Sequence, residues 1–253
     1  LYFYLTAKTK ISRTTYYLLL TTYYLAFTFT YSRGPTLGLL GGLIIFLFFI
    51  LKMVKPRAIL IVLGSFLVIN LLFGSALTNF RLISKFAAPI RPTIALPQSS
   101  VTQLENGGTE SGQIRFIVWK GALDIFKNYP ILGSGVETFA QIYYQFRPVE
   151  HNNTSEWDFL YNKAHNEYLN YLATTGIIGF GTYLLVIGSF IFWCIKKKQP
   201  ATSNQLLATS LLAGYISFLI YNVFLFSVVI LAIFFYLFPA LAFVPTGYTS
   251  TFH

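Results

Sequence analysis

The sequence has no acidic residue outside positions 78–167, and only 10% of its 253 residues are charged. So little charge excludes a soluble globule of this size, which needs polar side chains to cover its surface. There is one cysteine, Cys194, inside an apolar run, which excludes a disulfide framework and a thiolate metal site. Alternating polarity is also lacking, and with it the pattern of a membrane β-barrel. The sequence shows no internal repeat, heptad array or low-complexity tract. Its one methionine is Met53 and its first residue is Leu1, so it reads as part of a longer protein whose N-terminal portion precedes it.

Apolar and aromatic side chains make up the difference, at 55% hydrophobic and 19% aromatic. Apolar runs of about 17 to 21 residues recur, each long enough to cross a hydrocarbon core of roughly 30 Å as a helix. Six spans are expected, over 14–31, 35–51, 58–77, 168–195, 206–221 and 223–243, with a turn near Asn222 between the last two. The fold class is therefore an all-α polytopic membrane protein. Residues 1–77 hold three transmembrane helices, 78–167 form a large, partly helical extracytoplasmic loop, and 168–253 hold three more helices.

The formal net charge is +10, but its distribution argues against nucleic acid as a partner. Eight acidic residues and eight basic ones balance within 78–167. The excess lies in three clusters (Lys8, Lys10, Arg13; Lys52, Lys55, Arg57; Lys196, Lys197, Lys198) and in Arg33. Clusters of this size beside apolar spans are topology determinants under the positive-inside rule. Each is an even number of crossings from the next, so all three fit on the cytoplasmic side. Segment 78–167 and the turn Ser32-Arg33-Gly34 then face outward. Arg33 is the one cation that this rule does not explain.

Within the outer segment, residues 78–113 read as an irregular loop because of Pro89, Pro92, Pro97, Gly107, Gly108 and Gly112. Residues 114–128 read as a helix with Lys120, Asp124 and Lys127 on one face and Arg115, Trp119, Ala122 and Phe126 on another. Asn128-Tyr129-Pro130 ends that helix, and Gly133-Ser134-Gly135 supplies a tight turn. Asn162 is the expected N-cap of the next helix, which places His165 in a first turn leading into the fourth span.

Arg33, Arg115 and His165 are the side chains with chemistry to offer on the outward side. A guanidinium grips phosphate oxygens bidentately and keeps its charge. A histidine in a first helical turn is expected to be neutral and able to accept a proton. Together they suit a displacement in which a diphosphate leaves and a hydroxyl attacks. Each also has a structural reading. Arg33 fits a snorkelling interfacial residue, Arg115 a partner of Glu137 or Glu150, and His165 a capping or core histidine. His151 reads as a solvated loop residue. Glu156 and Asp158 could act as acid and base, with nothing else to mark them. No cluster has the spacing of a metal site, so neither metal nor other cofactor is expected.

The series Arg115-x-x-x-Trp119, Pro130-x-x-Gly133-x-Gly135-x-x-x-Phe139, Ala164-His165-Asn166-Glu167-Tyr168-Leu169 and Gly176 resembles the signature of the O-antigen ligase and polymerase family. The Ser32-Arg33-Gly34 turn is similar to a motif upstream in the same family. The resemblance implies a metal-independent, inverting glycosyl transfer in the bacterial inner membrane, with the active site facing the periplasm or cell exterior. It implies an undecaprenyl-pyrophosphate-linked glycan as donor and a glycan, lipid A core or other hydroxyl as acceptor. In that scheme His165 activates the acceptor, and Arg115 and Arg33 hold the diphosphate. The alternative reading is a transporter or flippase of a lipid-linked anionic substrate. Such a protein places ionisable groups near the midplane, where Asn70 and Asn222 are nearly the only strongly polar candidates here. The topology predicts that a cysteine introduced near position 155 is labelled by an impermeant thiol reagent added outside the cell. Labelling only from the cytoplasmic side reverses the assignment.

Overall fold

The computed structural model describes residues 1–51, 54, 56–77, 111–196 and 203–243. Most of the loop expected over 78–113, together with Lys52, Lys55, Lys197 and Lys198, lies outside the described residues. Regular structure among those described is helical throughout, and four helices are long and apolar enough to cross a membrane. The chain divides into two compact units.

The first unit contains α1 (Tyr2–Thr6), α2 (Lys10–Thr28), α3 (Arg33–Ile50), α4 (Pro56–Phe73), the end of α7 (Glu167–Lys196), α8 (Ser203–Phe224) as far as Tyr221, and α9 (Val229–Phe243). Helix α2 covers the first expected span but is the most polar of the set, with lysine, arginine, five threonines and a serine among its 19 residues. Its start is a capping box, in which Ser12 N–H donates to Thr9 Oγ1 at 3.1 Å and Thr9 N–H donates to Ser12 Oγ at 3.4 Å. Thr15 and Thr21 turn their hydroxyls back onto the Ile11 and Tyr17 carbonyls. A helix can therefore carry these groups without presenting unpaired donors to lipid. Asn70, one of the two amides noted within the spans, donates to the Tyr24 hydroxyl at 2.7 Å beside a Tyr24–Phe66 ring stack.

Helix α3 buries Gly34, Gly38, Gly42, Phe46 and Ile50, one residue in every four. This stripe lets its backbone lie directly on α8. A Cβ at Gly38 would sit 2.6 Å from the Ser217 carbonyl oxygen, and one at Gly42 would sit 2.7 Å from that of Ala213. Hydrophobicity does not favour helix association inside lipid, so this kind of close van der Waals contact holds spans together. The last expected span is shorter than the sequence suggests. Helix α8 runs past Asn222 to Phe224, and α9 begins only at Val229 and has 15 residues.

The second unit holds α5 (Ser111–Asn128), α6 (Phe139–Phe146), a 3-10 turn (Val149–Asn153), most of α7 and the 222–228 link. Its core is built on one face of α5, where Ile114, Val118, Ala122 and Ile125 recur at helical spacing and pack on Phe139, Tyr143, Tyr161, Ala164 and Ala173. The opposite face carries the solvated charges expected there. Lys127 pairs with Asp124 at 2.7 Å, and Lys120 reaches Glu150 at 3.5 Å.

Residues 168–195 read as one continuous span, but α7 is broken at Gly176, whose φ of 62° and ψ of −167° are not helical. The carbonyls of Ala173 and Thr174 lose their helical donors and accept instead from Ser134 N–H and Gly135 N–H, each at 3.0 Å. The return bonds run from Ile177 N–H to the Pro130 carbonyl at 2.8 Å and from Ile178 N–H to that of Ile131 at 3.3 Å. The Pro-x-x-Gly-x-Gly turn is thus a plug that completes a broken helix. Both glycines at the contact are required by space. A Cβ on Gly133 would meet the Thr174 carbonyl carbon at 2.2 Å, and one on Gly176 would meet the Ile131 oxygen at 2.4 Å.

Gly176→Ala is expected to lower stability by about 1 to 3 kcal/mol from backbone conformation alone, with the steric overlap added to that. Gly181→Ala, five residues on in the same helix, meets nothing within 4 Å. It is expected to be neutral or to stabilise by up to about 1 kcal/mol. Melting temperatures of the two variants in detergent separate these outcomes, and equal melting would show that the plug contributes nothing.

Candidate active site

The helix that carries the Ala164–Leu169 segment begins later than the sequence suggests. Asn162 does not cap it. Helix α7 starts at Glu167, and Asn166 Oδ1 accepts from Leu169 N–H at 3.0 Å, which makes Asn166 the cap. His165 therefore precedes the first turn and has left-handed backbone with φ 52°. A non-glycine residue held there is under local strain, which the neighbouring bonds maintain. Ala164 N–H donates to Asn170 Oδ1 on one side of His165. On the other, Glu167 is buried and accepts from Ser227 N–H at 3.1 Å.

That last bond has a direct effect on the site. It fixes the 222–228 link so that the Phe226 ring stands edge-on to His165 at 5.2 Å. Asn222, the second intramembrane amide, is buried in the same link and donates to the Ser227 hydroxyl at 3.3 Å. On its other side His165 meets the Tyr161 ring at 5.7 Å, again edge to face. The imidazole is confined between two aromatic rings, and its Nδ1 is buried without a protein partner among the described residues.

Arg115 belongs to this same unit, half-buried at the border of the packed face of α5. Glu137 and Glu150, its possible structural partners, are taken by Lys163 at 2.5 Å and Lys120 at 3.5 Å. Its charge acts on His165 and on Tyr161. Burial and then the Arg115 guanidinium hold the His165 imidazole below its ordinary value, while Glu156 works in the opposite direction. The lowering expected from helix position thus has another cause, desolvation beside a cation. Arg33 is the first residue of α3 in the other unit, exposed and following Ser32. Its connection is tied down by the Tyr31 hydroxyl, which donates to the Phe73 carbonyl at 3.0 Å.

The rest of the cluster is formed by His151, Tyr161, Glu156 and Arg147. His151 is not solvated. It is 0% exposed, and its Nδ1 lies 2.8 Å from the Tyr143 hydroxyl. Burial and then Arg147 hold its imidazole below the ordinary value, and Glu156 raises it. Tyr161 stands between the two histidines, 5.1 Å from His151, and donates its hydroxyl to the Glu156 carboxylate. Burial, that hydrogen bond and the Glu156 charge raise the phenol, and Arg115 lowers it. Arg147 donates to the Trp157 carbonyl, which closes the 147–157 segment around His151. Spacing offered one usable signal, Glu156, Tyr161 and His165 within ten residues. Phe226 had none, because it arrives from a distant part of the chain.

Both imidazoles, the buried His151 and the half-buried His165, bind a proton more weakly folded than unfolded. The unfolded chain therefore takes up more protons between their lowered values and 6.5. The stability they contribute is complete above about 6.5 and is lost as pH falls below it. Melting in detergent is expected to be lower at about pH 5.5 than at about pH 7.5, with a smaller difference in His165→Gln. An unchanged difference in that variant would assign the acid sensitivity elsewhere.

Comparison with known proteins now bears on this arrangement. The chain is 26% identical over 168 residues to an uncharacterized protein of Haemophilus influenzae, covering 66% of this chain and 39% of the relative. It thus spans well under half the length of that curated relative. No solved structure matches it. The sequence profile of the O-antigen ligase family matches residues 17–184, which takes in Arg33, Arg115, the Pro130–Gly135 turn, the His165 segment and the Gly176 break. With that match over most of its length, this multi-pass bacterial membrane protein belongs to the O-antigen ligase family.

Proposed function

We propose that the protein transfers glycan from an undecaprenyl-pyrophosphate carrier to an acceptor hydroxyl, with inversion and without a metal. The observation that carries the reading is His165, held in left-handed backbone between Tyr161 and Phe226 in the compact unit that also contains Arg115. Family membership supplies the class of reaction, glycan transfer.

In the proposed step the acceptor hydroxyl gives its proton to His165 as its oxygen bonds to the anomeric carbon. The bond from that carbon to the diphosphate oxygen breaks on the opposite face, and the electron pair leaves with the diphosphate. Arg115 takes up the charge that grows there, where fixed donors outside bulk water are most effective. Arg33, the cation that topology does not explain and a residue of the other unit, is proposed as a phosphate ligand on the strength of the family resemblance alone. Tyr161, bonded to Glu156 and packed on His165, sets the orientation of the imidazole. The site faces the periplasm or cell exterior from the inner membrane, and the acceptor is a lipid A core sugar, another glycan repeat or a related hydroxyl.

A transporter of the same anionic substrate is less well supported. The two intramembrane amides have local structural partners, Tyr24 for Asn70 and Ser227 for Asn222.

The test is reconstitution of the full-length protein with a polyprenyl-diphosphate glycan and candidate acceptors. His165→Ala is expected to lower the rate of transfer about 100-fold or more, with donor binding retained. Arg115→Ala is expected to lose both transfer and donor affinity. Wild-type turnover in both variants would remove the assigned roles.

A further inference from the structure

The plug at the α7 break has an outer surface as well as an inner one. From Asn128 to Val136 the chain carries no charge, and the stretch is bounded by Lys127 and Glu137. Within it Ile131 is 62% exposed, Leu132 71% and Val136 74%. An isolated apolar loop tip of this kind would be a solubility defect in water. This one is not isolated. Its backbone is bonded to Ile177 and Ile178, the first residues of α7 after the break, which are themselves 55% and 53% exposed. Those residues open the stretch 177–196, roughly 20 residues that span about 30 Å as a helix. The exposed side chains of the plug therefore lie beside the exposed first residues of a candidate membrane span.

Irregular backbone is normally kept out of the hydrocarbon region, because its peptide groups have nothing there to bond. Here that need is met in part, where the loop contacts α7, which suits a shallow position and not a deep one. Gly133 N–H donates to the Tyr129 carbonyl, Ser134 N–H to Ala173 and Gly135 N–H to Thr174. The carbonyls of Pro130 and Ile131 accept from Ile177 and Ile178. Pro130 has no N–H to satisfy. The Thr138 hydroxyl donates to the Gly135 carbonyl at 2.7 Å and lies 3.0 Å from the Ser134 hydroxyl. Tyr129, 40% exposed at the base of the loop, is a residue type that settles at the headgroup level.

We infer that residues 130–136 form a shallow wedge embedded in the bilayer, its apolar side chains among lipid acyl chains, in the leaflet on the side of the polar segment. The wedge displaces lipid next to the helix that follows His165. The inference stands apart from the proposed reaction and holds whatever chemistry the site performs.

Nitroxide labels on the full-length protein in lipid vesicles test it. Single cysteines replace Leu132 or Val136 in a Cys194→Ala background. Leu185, 72% exposed along the span, serves as the lipid reference, and Asn153, exposed in the polar segment, as the aqueous one. Labels at 132 and 136 are expected to relax several-fold more with oxygen, which concentrates in lipid, than with a water-soluble nickel chelate, as at 185. Relaxation dominated by nickel, as at 153, overturns the wedge. So does a label that neither agent reaches, since protein would then cover the loop. Leu132→Trp with brominated lipids reads the same surface without a cysteine background. Strong quenching relative to wild type supports the wedge, and none opposes it.

Discussion

A peptide group that loses its helical partner beside lipid must find another, and the architecture of the second unit follows from how that is met at Gly176. The break frees carbonyls at Ala173 and Thr174 and donors at Ile177 and Ile178, and one short loop answers all four. Because the loop must approach backbone to backbone, its own Gly133 and the Gly176 it faces can carry no side chain. The loop is also the connection from α5 to α6. The same bonds therefore fix the end of the helix that holds Arg115 against the helix that follows His165.

The second determinant is the run from Ala164 to Glu167, where consecutive residues do different jobs. Asn166 caps the helix, Glu167 anchors the 222–228 link, and His165 just before them is left in a backbone conformation it would not choose alone. Strain of order 1 to 3 kcal/mol is sustained because its neighbours are bonded on both sides. The result is an imidazole with little freedom to turn, set between Tyr161 and Phe226. Pre-organisation of this kind is what a base needs if it is to act without first rearranging.

Much of this was legible in the sequence, and what was not has definite physical causes. Apolar length and helical period located α3, α4, α5, α7 and α8, since burial and lipid exposure act on every residue of a long helix. The polar face Lys120, Asp124 and Lys127 is where the period put it. The helix start was misjudged because Asn162 and Asn166 are equally good caps by type, and only tertiary bonding distinguishes them. The polar neighbours of His151 point to a solvated residue. Its burial is produced by Tyr143, Tyr161 and the Arg147–Trp157 closure, none of which is local in pattern. The Gly176 break could not be read at all without the loop that repairs it.

The bond between Glu167 and Ser227 joins positions 60 residues apart in the chain. A ribosome adding roughly 5 to 20 residues per second takes about 3 to 12 seconds to cover that distance. Throughout that interval His165 has been made but lacks the aromatic wall that Phe226 provides. A nascent chain thus holds the His165 imidazole open on one side until residue 226 has been made.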